Sequence, residues 1–345
     1  MRIGYRTISL SFVGAAVLSL LAADIAITAL NPGAEMFRLL TGILRPDFGA
    51  IEVWSVIWTV AFAVLGVGLG AVLGLALALI YPTSRAIRAL AVSLRSIHEL
   101  FWALLLLQVL GLGPLTGVLA VALPYSGYFA KVYAEIIEEA DLAAVRVLPT
   151  GTSVVSAFLF ARLPELAQAF KTYTLYRLEC GMRSTLVLGF VGLPTIGYHL
   201  EIYFKQGHYG SAAALLAVFY LLIGTRRLWA RPATVPLLVV ASFFLLPESI
   251  GGGSTLLNLI RFLTVDIVPA PLRNGELTAL TTWLALGGWL GHIVYAQALP
   301  GIVNTLVLSQ IALVAAGLLT LAAFPLVSRQ FAGPLGQPAG RVLLG

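Results

Sequence analysis

The sequence is poor in charge and in cysteine. Only 10% of its 345 residues are charged, whereas 59% are hydrophobic. Soluble domains carry about 25% charged residues, so this composition excludes an ordinary soluble domain. The single cysteine, Cys180, excludes an intrachain disulfide and a cysteine-ligated metal site.

Motifs for catalysis and metal binding are also absent from the sequence. The four histidines are scattered and lack the i,i+4 spacing of a zinc-binding helix. There is no Gly-x-Ser-x-Gly elbow and no Gly-rich phosphate loop followed by Lys and Ser. We therefore expect a protein that is not an enzyme, with no metal site, no catalytic residue and no bound cofactor. The chain cannot hydrolyse ATP itself, so energy for any transport must come from another subunit or from an ion gradient.

The basic residues do not indicate nucleic-acid binding. The formal net charge is +6, but Lys and Arg are concentrated in short loops, where they set the orientation of membrane helices. That rule predicts a cytoplasmic location for the N-terminus and for residues 82–95, 135–164 and 226–231. We expect no nucleic-acid partner.

Long apolar runs dominate the chain, and the mean hydropathy is +0.97. Several runs reach the roughly 20 residues that a helix needs to cross a bilayer, and none shows the alternation of an outer-membrane strand. The sequence therefore predicts an all-α, polytopic helical membrane protein in contact with the lipid bilayer. The first two spans are expected at Ile8–Leu30, as an uncleaved helix, and at Val53–Tyr81.

Glycine is placed where helices pack or reverse. Gly66, Gly70 and Gly74 recur every four residues in the second span, a spacing that lets another helix approach closely. Residues Gly111 to Pro114 predict a tight turn between two further spans within residues 97–135, because Gly and Pro break helices.

The segment Glu135–Pro164 is the longest polar interruption in the first half of the chain, so we expect it to lie in water. It contains Gly151, and Pro164 follows thirteen positions later, directly after Leu163. Such a loop suits the presentation of a short helix to a soluble partner.

Ionisable groups are costly inside a bilayer and therefore informative. Lys171, Arg177, Glu179 and Arg183 fall on one predicted membrane segment, where Glu179 and Arg183 can pair at i,i+4. They border a polar pathway, or they form a structural ion pair near an interface. Both interpretations remain open.

An ordered series of residues between about 35 and 225 matches one known family. The series is Glu99, Trp102, Ala103, Leu104, Gly111 to Pro114, Gly117, Leu119, Ala120, Lys131, Tyr133, Glu135, Tyr173, Leu175, Tyr176, Arg177, Glu179, Arg183, Leu188, Gly189, Val191, Gly192, Ile196 and Gly197. In this series the chain resembles the phosphonate-type permeases of ABC importers. It departs from them where Val145 and Arg146 replace a Glu-Ala pair, and where Leu193-Pro194-Thr195 replaces a Gly-rich turn.

The resemblance implies the type I ABC importer permease fold, multi-pass, in a bacterial cytoplasmic (inner) membrane. The implied partners are a second permease subunit, identical or not, an ABC ATPase dimer that binds ATP and Mg, and an extracytoplasmic solute-binding protein. The implied cargo is a small phosphorus oxyanion such as phosphonate, phosphite or hypophosphite.

The resemblance also assigns two candidate sites. The ATPase-coupling loop would comprise Glu139, Ala140, Leu142, Ala143, Ala144, Val145, Arg146, Thr150, Gly151, Ser153, Leu163 and Pro164. The translocation path or gate would comprise Arg177, Glu179, Arg183 and Thr185.

An internal repeat predicts two parts in the chain. Residues 1–231 are expected to form a complete permease unit of about six spans, and residues 232–345 a partial second copy. Residues 37–41 parallel 260–264, and residues 58–60 parallel 304–306. Within the second copy, residues 278–295 are expected to be an interfacial or re-entrant helix, with a full span as the alternative, and residues 301–327 a separate returning helix.

Two other functions stay open at this point. One is a secondary transporter driven by an ion gradient, with Glu99 or Glu179 carrying protons. For Glu99, which follows His98, the simpler interpretation is an acid that complements a helix dipole. The other function is a membrane scaffold that transports nothing itself.

Overall fold

The computed structural model describes residues 4–23, 30–140, 148–149, 151–231, 233–246 and 255–327. The regular elements of this part of the chain are all helical, which confirms the predicted all-α class. The helices are α1 (Tyr5–Ala22), α2 (Pro32–Leu44), α3 (Val53–Ile80), α4 (Arg85–Ser96), α5 (Glu99–Leu110), α6 (Pro114–Glu139), α7 (Val154–Ala157), α8 (Leu163–Gly189), α9 (Ile196–Gln206), α10 (Tyr209–Gly224), α11 (Arg226–Trp229), α12 (Val235–Phe244), α13 (Thr255–Arg261), α14 (Ala270–Asn274), α15 (Leu280–His292) and α16 (Leu299–Val327).

The chain divides into two compact units. One unit is Asn31–Ile267, and the other combines Met1–Leu30 with Val268–Gly345. The boundary expected after residue 231 rests on an internal repeat in the sequence and stays a prediction.

Helices α3 and α6 form the centre of the larger unit, and glycine lets them meet. A Cβ atom on Gly66 would lie 2.7 Å from the Cβ of Val121, and one on Gly70 would lie 2.9 Å from the Cβ of Tyr125. A Cβ atom on Gly74 would collide with Phe129. The contacts advance by four residues on both helices, as when i±4 ridges interlock. The packing role expected for these glycines is confirmed.

The region before the Gly111 turn differs from the expectation of a full span. Helices α4 and α5 meet at an angle of 95°. A helix of the length of α5, 12 residues, extends about 18 Å, which is less than the roughly 30 Å hydrocarbon core. The break arises because His98 caps a new helix, its Nδ1 accepting from the backbone N–H of Leu100 at 3.2 Å. The predicted turn is present, with Gly111 at a φ of 77°.

Helices α8 and α9 cross so closely that neither tolerates a side chain at the contact. A Cβ atom on Gly189 would collide with the backbone of Gly197, and one on Gly197 would collide with the carbonyl of Leu186. Gly192, at a φ of 98°, makes the turn between the helices. These contacts give a physical reason for the glycines of this segment.

Among the described residues, three helices are long and apolar enough to cross a membrane, or four if α4 and α5 form one bent span. The three are Val53–Ile80, Pro114–Glu139 and the stretch Leu280–Pro325. Helix α8 has 27 residues, but it carries several charged side chains. The fold is that of a multi-pass membrane protein.

The smaller unit contains one helical stretch of 46 residues, Leu280–Pro325. It is made of α15, a π-helical segment (Ile293–Ala298) and α16. The expectation of two separate helices here is wrong, because the π-helical turns precede Pro300 and accommodate its missing N–H. Trp283 Nε1 donates to the carbonyl of Leu277 at 3.0 Å, near the start of the stretch.

Helix α1 packs on α16, and Gln310 Nε2 donates to the carbonyl of Phe12 at 3.2 Å. The last residues of the first predicted span, 24–29, lie outside the described residues.

Candidate functional site

The polar residues of α8 gather where it faces α5, α6 and α11. Arg177 is half-buried there, and its Nε donates to the hydroxyl of Tyr173 at 2.7 Å. Its guanidinium lies 4.3 Å from the ring centroid of Tyr128, a residue of α6. It also lies 5.2 Å from the ring of Tyr173 and 5.8 Å from that of Tyr176.

The charge of Arg177 is stabilised by these rings, and no acid of the described residues pairs with it. None of the ion pairs among the described residues includes Arg177. Aromatic faces attract a cation without cancelling its charge, and a guanidinium offers several N–H donors in a plane. The arrangement therefore leaves a partly desolvated cation with donors to spare, which suits an oxyanion.

A second polar group joins the break between α4 and α5 to α8. Ser184 Oγ donates to Glu99 Oε1 at 3.1 Å and lies 3.2 Å from the hydroxyl of Tyr125. The Glu99 side chain is only 14% exposed, and its other oxygen lies 3.5 Å from Nε2 of His98. Glu99 stands in the first turn of α5, where a carboxylate is stabilised by the helix dipole.

A third group forms around Glu179, which contacts two arginines. Its Oε1 lies 3.4 Å from Arg183, so the predicted i,i+4 pair is present, and its Oε2 lies 3.0 Å from Arg226 of α11. Arg226 also donates to the carbonyl of Leu175 at 2.8 Å. The contact with Arg226 was not predicted, because the sequence assigned that residue only to a cytoplasmic loop.

Thr185 stands apart from the other residues predicted for the path. It is fully buried, and its hydroxyl donates to the carbonyl of Met182 at 2.7 Å. The structure therefore brings Arg177 together with tyrosines, and Glu179 with Arg183. The Thr185 hydroxyl instead bonds to a backbone carbonyl of its own helix. The roles of Tyr128, Tyr125 and Ser184 were not predictable from the sequence, because each reaches its partner from another helix or from a distant position. Of the rings around Arg177, Tyr173 was detectable from its i,i+4 spacing.

The predicted coupling loop is described only in part. Leu142, Ala143, Ala144, Val145, Arg146 and Thr150 lie outside the described residues. Glu139 is the last residue of α6, and Ala140 follows it half-buried. Gly151 has a φ of 103°, a left-handed conformation that favours glycine.

Helical structure after Gly151 begins earlier than expected, at Val154. Ser153 Oγ accepts from the backbone N–H of Ser156 at 3.1 Å and so caps α7. A π-helical segment, Phe158–Arg162, then leads directly into α8. Leu163 and Pro164 thus lie inside a helical run and do not end the loop, because the π-helical turn before Pro164 accommodates its missing N–H.

Comparison with known proteins shows which proteins this chain is similar to. No family model matches the chain, and no solved structure matches it. A putative phosphite transport system permease protein, HtxE, of Stutzerimonas stutzeri is 34% identical over 142 residues, which are 41% of this chain and 54% of HtxE. The chain is similar to phosphite and phosphonate transport permeases.

Two further permeases support this similarity. The phosphite transport system permease protein PtxC of Stutzerimonas stutzeri is 34% identical over 39% of this chain and 50% of its own length. The phosphate-import permease protein PhnE of Mycolicibacterium smegmatis is 33% identical over 44% of this chain and 29% of its own length. The chain thus spans about half or less of the length of these permeases. The resemblance stated from the sequence is confirmed over about two fifths of the chain.

Proposed function

We propose that this chain is the transmembrane subunit of an ABC importer that forms the translocation path for a small phosphorus oxyanion. The observation that carries the proposal is Arg177, a half-buried cation held by three tyrosine rings and outside every ion pair of the described residues. The cargo class is supported by the names of the permease relatives, which specify phosphite, phosphate or phosphonate, and we extend it to hypophosphite as a further small phosphorus oxyanion.

The helices around Arg177 orient its guanidinium and add a second cation, as a path for an anion requires. Tyr128 and Tyr173 orient the guanidinium so that its free N–H groups can bind oxyanion oxygens in pairs. Arg183, 63% exposed, adds a second cation, while Glu179 holds it near the helix and also binds Arg226. A permeating anion would therefore meet an excess of positive charge.

The proposed assembly needs subunits that this chain does not contain. We propose a second permease subunit, identical or not, an ABC ATPase dimer that binds ATP and Mg, and an extracytoplasmic solute-binding protein. The assembly would lie in a bacterial cytoplasmic membrane, and this chain would bind no cofactor of its own. The turn at Gly151 and the capped helix at Ser153 support a cytoplasmic docking role, because both shape a short exposed segment.

A second candidate function is an ion-gradient-driven transporter, and Glu99 is the observation that favours it. A largely buried carboxylate at a broken membrane helix, bonded to a serine and beside a histidine, is a common arrangement for proton binding. The two functions differ in what they require. A secondary transporter moves its cargo with this chain alone and an ion gradient, whereas an importer subunit needs ATP and its partner ATPase.

The proposal is tested by uptake of phosphite, hypophosphite and methylphosphonate into cells that produce each variant as the importer's permease. Arg177→Gln removes the charge and should lower uptake about tenfold or more, since hydrogen bonds to charged groups are strong. Arg177→Lys should restore part of the uptake, because it keeps the charge without the planar donors. Wild-type uptake in Arg177→Gln, at a normal amount of folded protein, would overturn the path assignment.

A matched control is available on α9. Lys205 is 73% exposed and pairs with Glu201, so Lys205→Gln removes one cation away from the rings around Arg177. Its uptake should equal that of the wild type. Uptake by the purified chain alone in vesicles with a proton gradient would favour the secondary transporter.

A further inference from the structure

A basic cleft lies between α8 and α11, next to the ion pair of Glu179 and Arg226. Its volume is about 300 Å³. The lining residues are Gln168, Lys171, Thr172, Leu175, Tyr176, Arg226, Arg227 and Ala230. Three of them are cationic and none is acidic.

Two of the three cations are available to a ligand. Arg226 is occupied, since it contacts Glu179 at 3.0 Å and donates to the carbonyl of Leu175 at 2.8 Å. Lys171 and Arg227 are exposed and take part in none of the ion pairs of the described residues. The cleft therefore has a net excess of positive charge after Glu179 is counted against Arg226.

The cleft is held in shape by contacts between the two helices. Gln168, Lys171, Thr172 and Leu175 share one face of α8 through their i,i+3 and i,i+4 spacing. The two contacts of Arg226 fasten the start of α11 to this face, so that Lys171 and Arg227 are brought together from different elements. Leu175 and Ala230 supply an apolar border, next to the amide of Gln168 and the hydroxyl of Thr172.

The cleft adjoins the proposed path without including Arg177. Tyr176 belongs to both, since it lines the cleft and its ring lies 5.8 Å from the guanidinium of Arg177, which lies over Tyr128 of α6. By the positive-inside rule, Arg226 and Arg227 stand at the cytoplasmic boundary of the bilayer. Basic pockets between membrane helices on this side commonly bind phosphate head groups.

We propose that this cleft binds a phosphate group, with Lys171 and Arg227 as its charge partners and Gln168 and Thr172 as hydrogen-bond partners. The group can belong to an anionic lipid of the cytoplasmic leaflet or to a free phosphate ion. Both sources present the same negatively charged oxygens to the cleft. The proposal concerns binding and does not depend on what the chain transports.

The test uses the full chain in lipid nanodiscs and the double variant Lys171→Gln, Arg227→Gln. Among the described residues, Arg226 makes the polar contacts that hold α11 to α8, so the fold should survive the loss of Lys171 and Arg227. In the first arm, the discs contain phosphatidylcholine with a minority of phosphatidylglycerol, and native mass spectrometry counts the phosphatidylglycerol that stays bound. In the second arm, the discs contain phosphatidylcholine alone, and calorimetry measures the binding of inorganic phosphate.

The matched control is Arg85→Gln, Arg88→Gln, which removes the same charge from exposed positions of α4 at the same predicted side of the membrane. We expect the cleft variant to weaken binding by about tenfold or more in at least one arm, with the control unchanged. If the cleft variant loses binding of phosphatidylglycerol, the ligand is a lipid head group. If it loses binding of inorganic phosphate, the ligand is the free ion. Unchanged binding in both arms, or an equal loss in the control, would overturn the proposal.

Discussion

The backbone N–H of Ile196 donates to the hydroxyl of Thr59 at 2.9 Å, between residues 137 positions apart in the chain. The same hydroxyl donates to the carbonyl of Ser55 at 2.6 Å. Thr59 and Ile196 are both fully buried. One side chain therefore joins α3 to the first turn of α9, using both the donor and the acceptor capacity of its oxygen.

Thr59→Val should destabilise the protein by about 1 to 3 kcal/mol, because it leaves the buried N–H of Ile196 without a partner. Thermal unfolding in detergent measures the change. The matched control is Thr195→Val, since the Thr195 hydroxyl is buried with no hydrogen-bond partner among the described residues. Thr195→Val should leave the stability of the protein unchanged or raise it. An equal loss of stability in both variants would contradict the role given to Thr59.

Gly70→Ala should also destabilise the protein, because the new methyl group would lie 2.9 Å from the Cβ of Tyr125 and 3.1 Å from the carbonyl of Ala122. Overpacking of this kind costs about 1 to 3 kcal/mol. Gly68→Ala, on the same helix, meets nothing within 4 Å and borders an apolar cavity of about 60 Å³. It should leave the unfolding temperature unchanged or raise it. A similar fall in the unfolding temperature of both variants would contradict the close contact given to Gly70.

The two arginines that contact Glu179 should behave differently. Arg183→Met should change stability by less than about 1 kcal/mol, since its pair is exposed on the arginine side, while lowering uptake if Arg183 borders the path. Arg226→Met should lower the unfolding temperature more, because it removes two contacts between α11 and α8. Unfolding and uptake are measured on the same preparations. Full uptake by an Arg183→Met, Glu179→Leu double variant would show that this pair is structural only.

If the turn at Gly151 docks an ATPase, as proposed, Gly151→Ala should uncouple ATP hydrolysis from uptake without unfolding the helices. The position has space for a methyl group, but its φ of 103° is strained for any residue with a side chain. ATPase activity and uptake of the assembled importer are compared in one preparation. Gly224→Ala is the control, since that glycine also has open space and has no positive φ. Normal coupling in Gly151→Ala would remove this turn from the docking surface.

The sequence predicted the contacts that depend on local spacing. The glycines at 66, 70 and 74, the turn at Gly111 and the pair of Glu179 with Arg183 all follow from the period of a helix or from backbone freedom. Contacts between distant segments were not predictable in this way. Tyr128 reaches Arg177, and Arg226 reaches Glu179, only because of how α6, α8 and α11 pack, which no short pattern encodes.

The course of the helices around Pro300 and His98 was only partly predictable. Two helices were expected within residues 278–327, yet one helix continues through π-helical turns and Pro300. The helix start expected at Glu99 is present, but the sequence did not indicate that the ring nitrogen of His98 accepts the backbone N–H of Leu100 and caps α5. Whether a proline or a histidine ends, caps or continues a helix depends on the hydrogen bonds of the surrounding backbone, which the residue type alone does not determine.

The three rings around Arg177 have a consequence for movement. Hydrogen bonds lose strength steeply when their angle closes, whereas a cation is attracted anywhere over a ring face within about 6 Å. Tyr128 belongs to α6, and Tyr173 and Tyr176 belong to α8, so the guanidinium can exchange one ring for another as these helices shift. If α6 and α8 shifted against each other, the charge of Arg177 would therefore stay over a ring of α8 even where it lost contact with Tyr128.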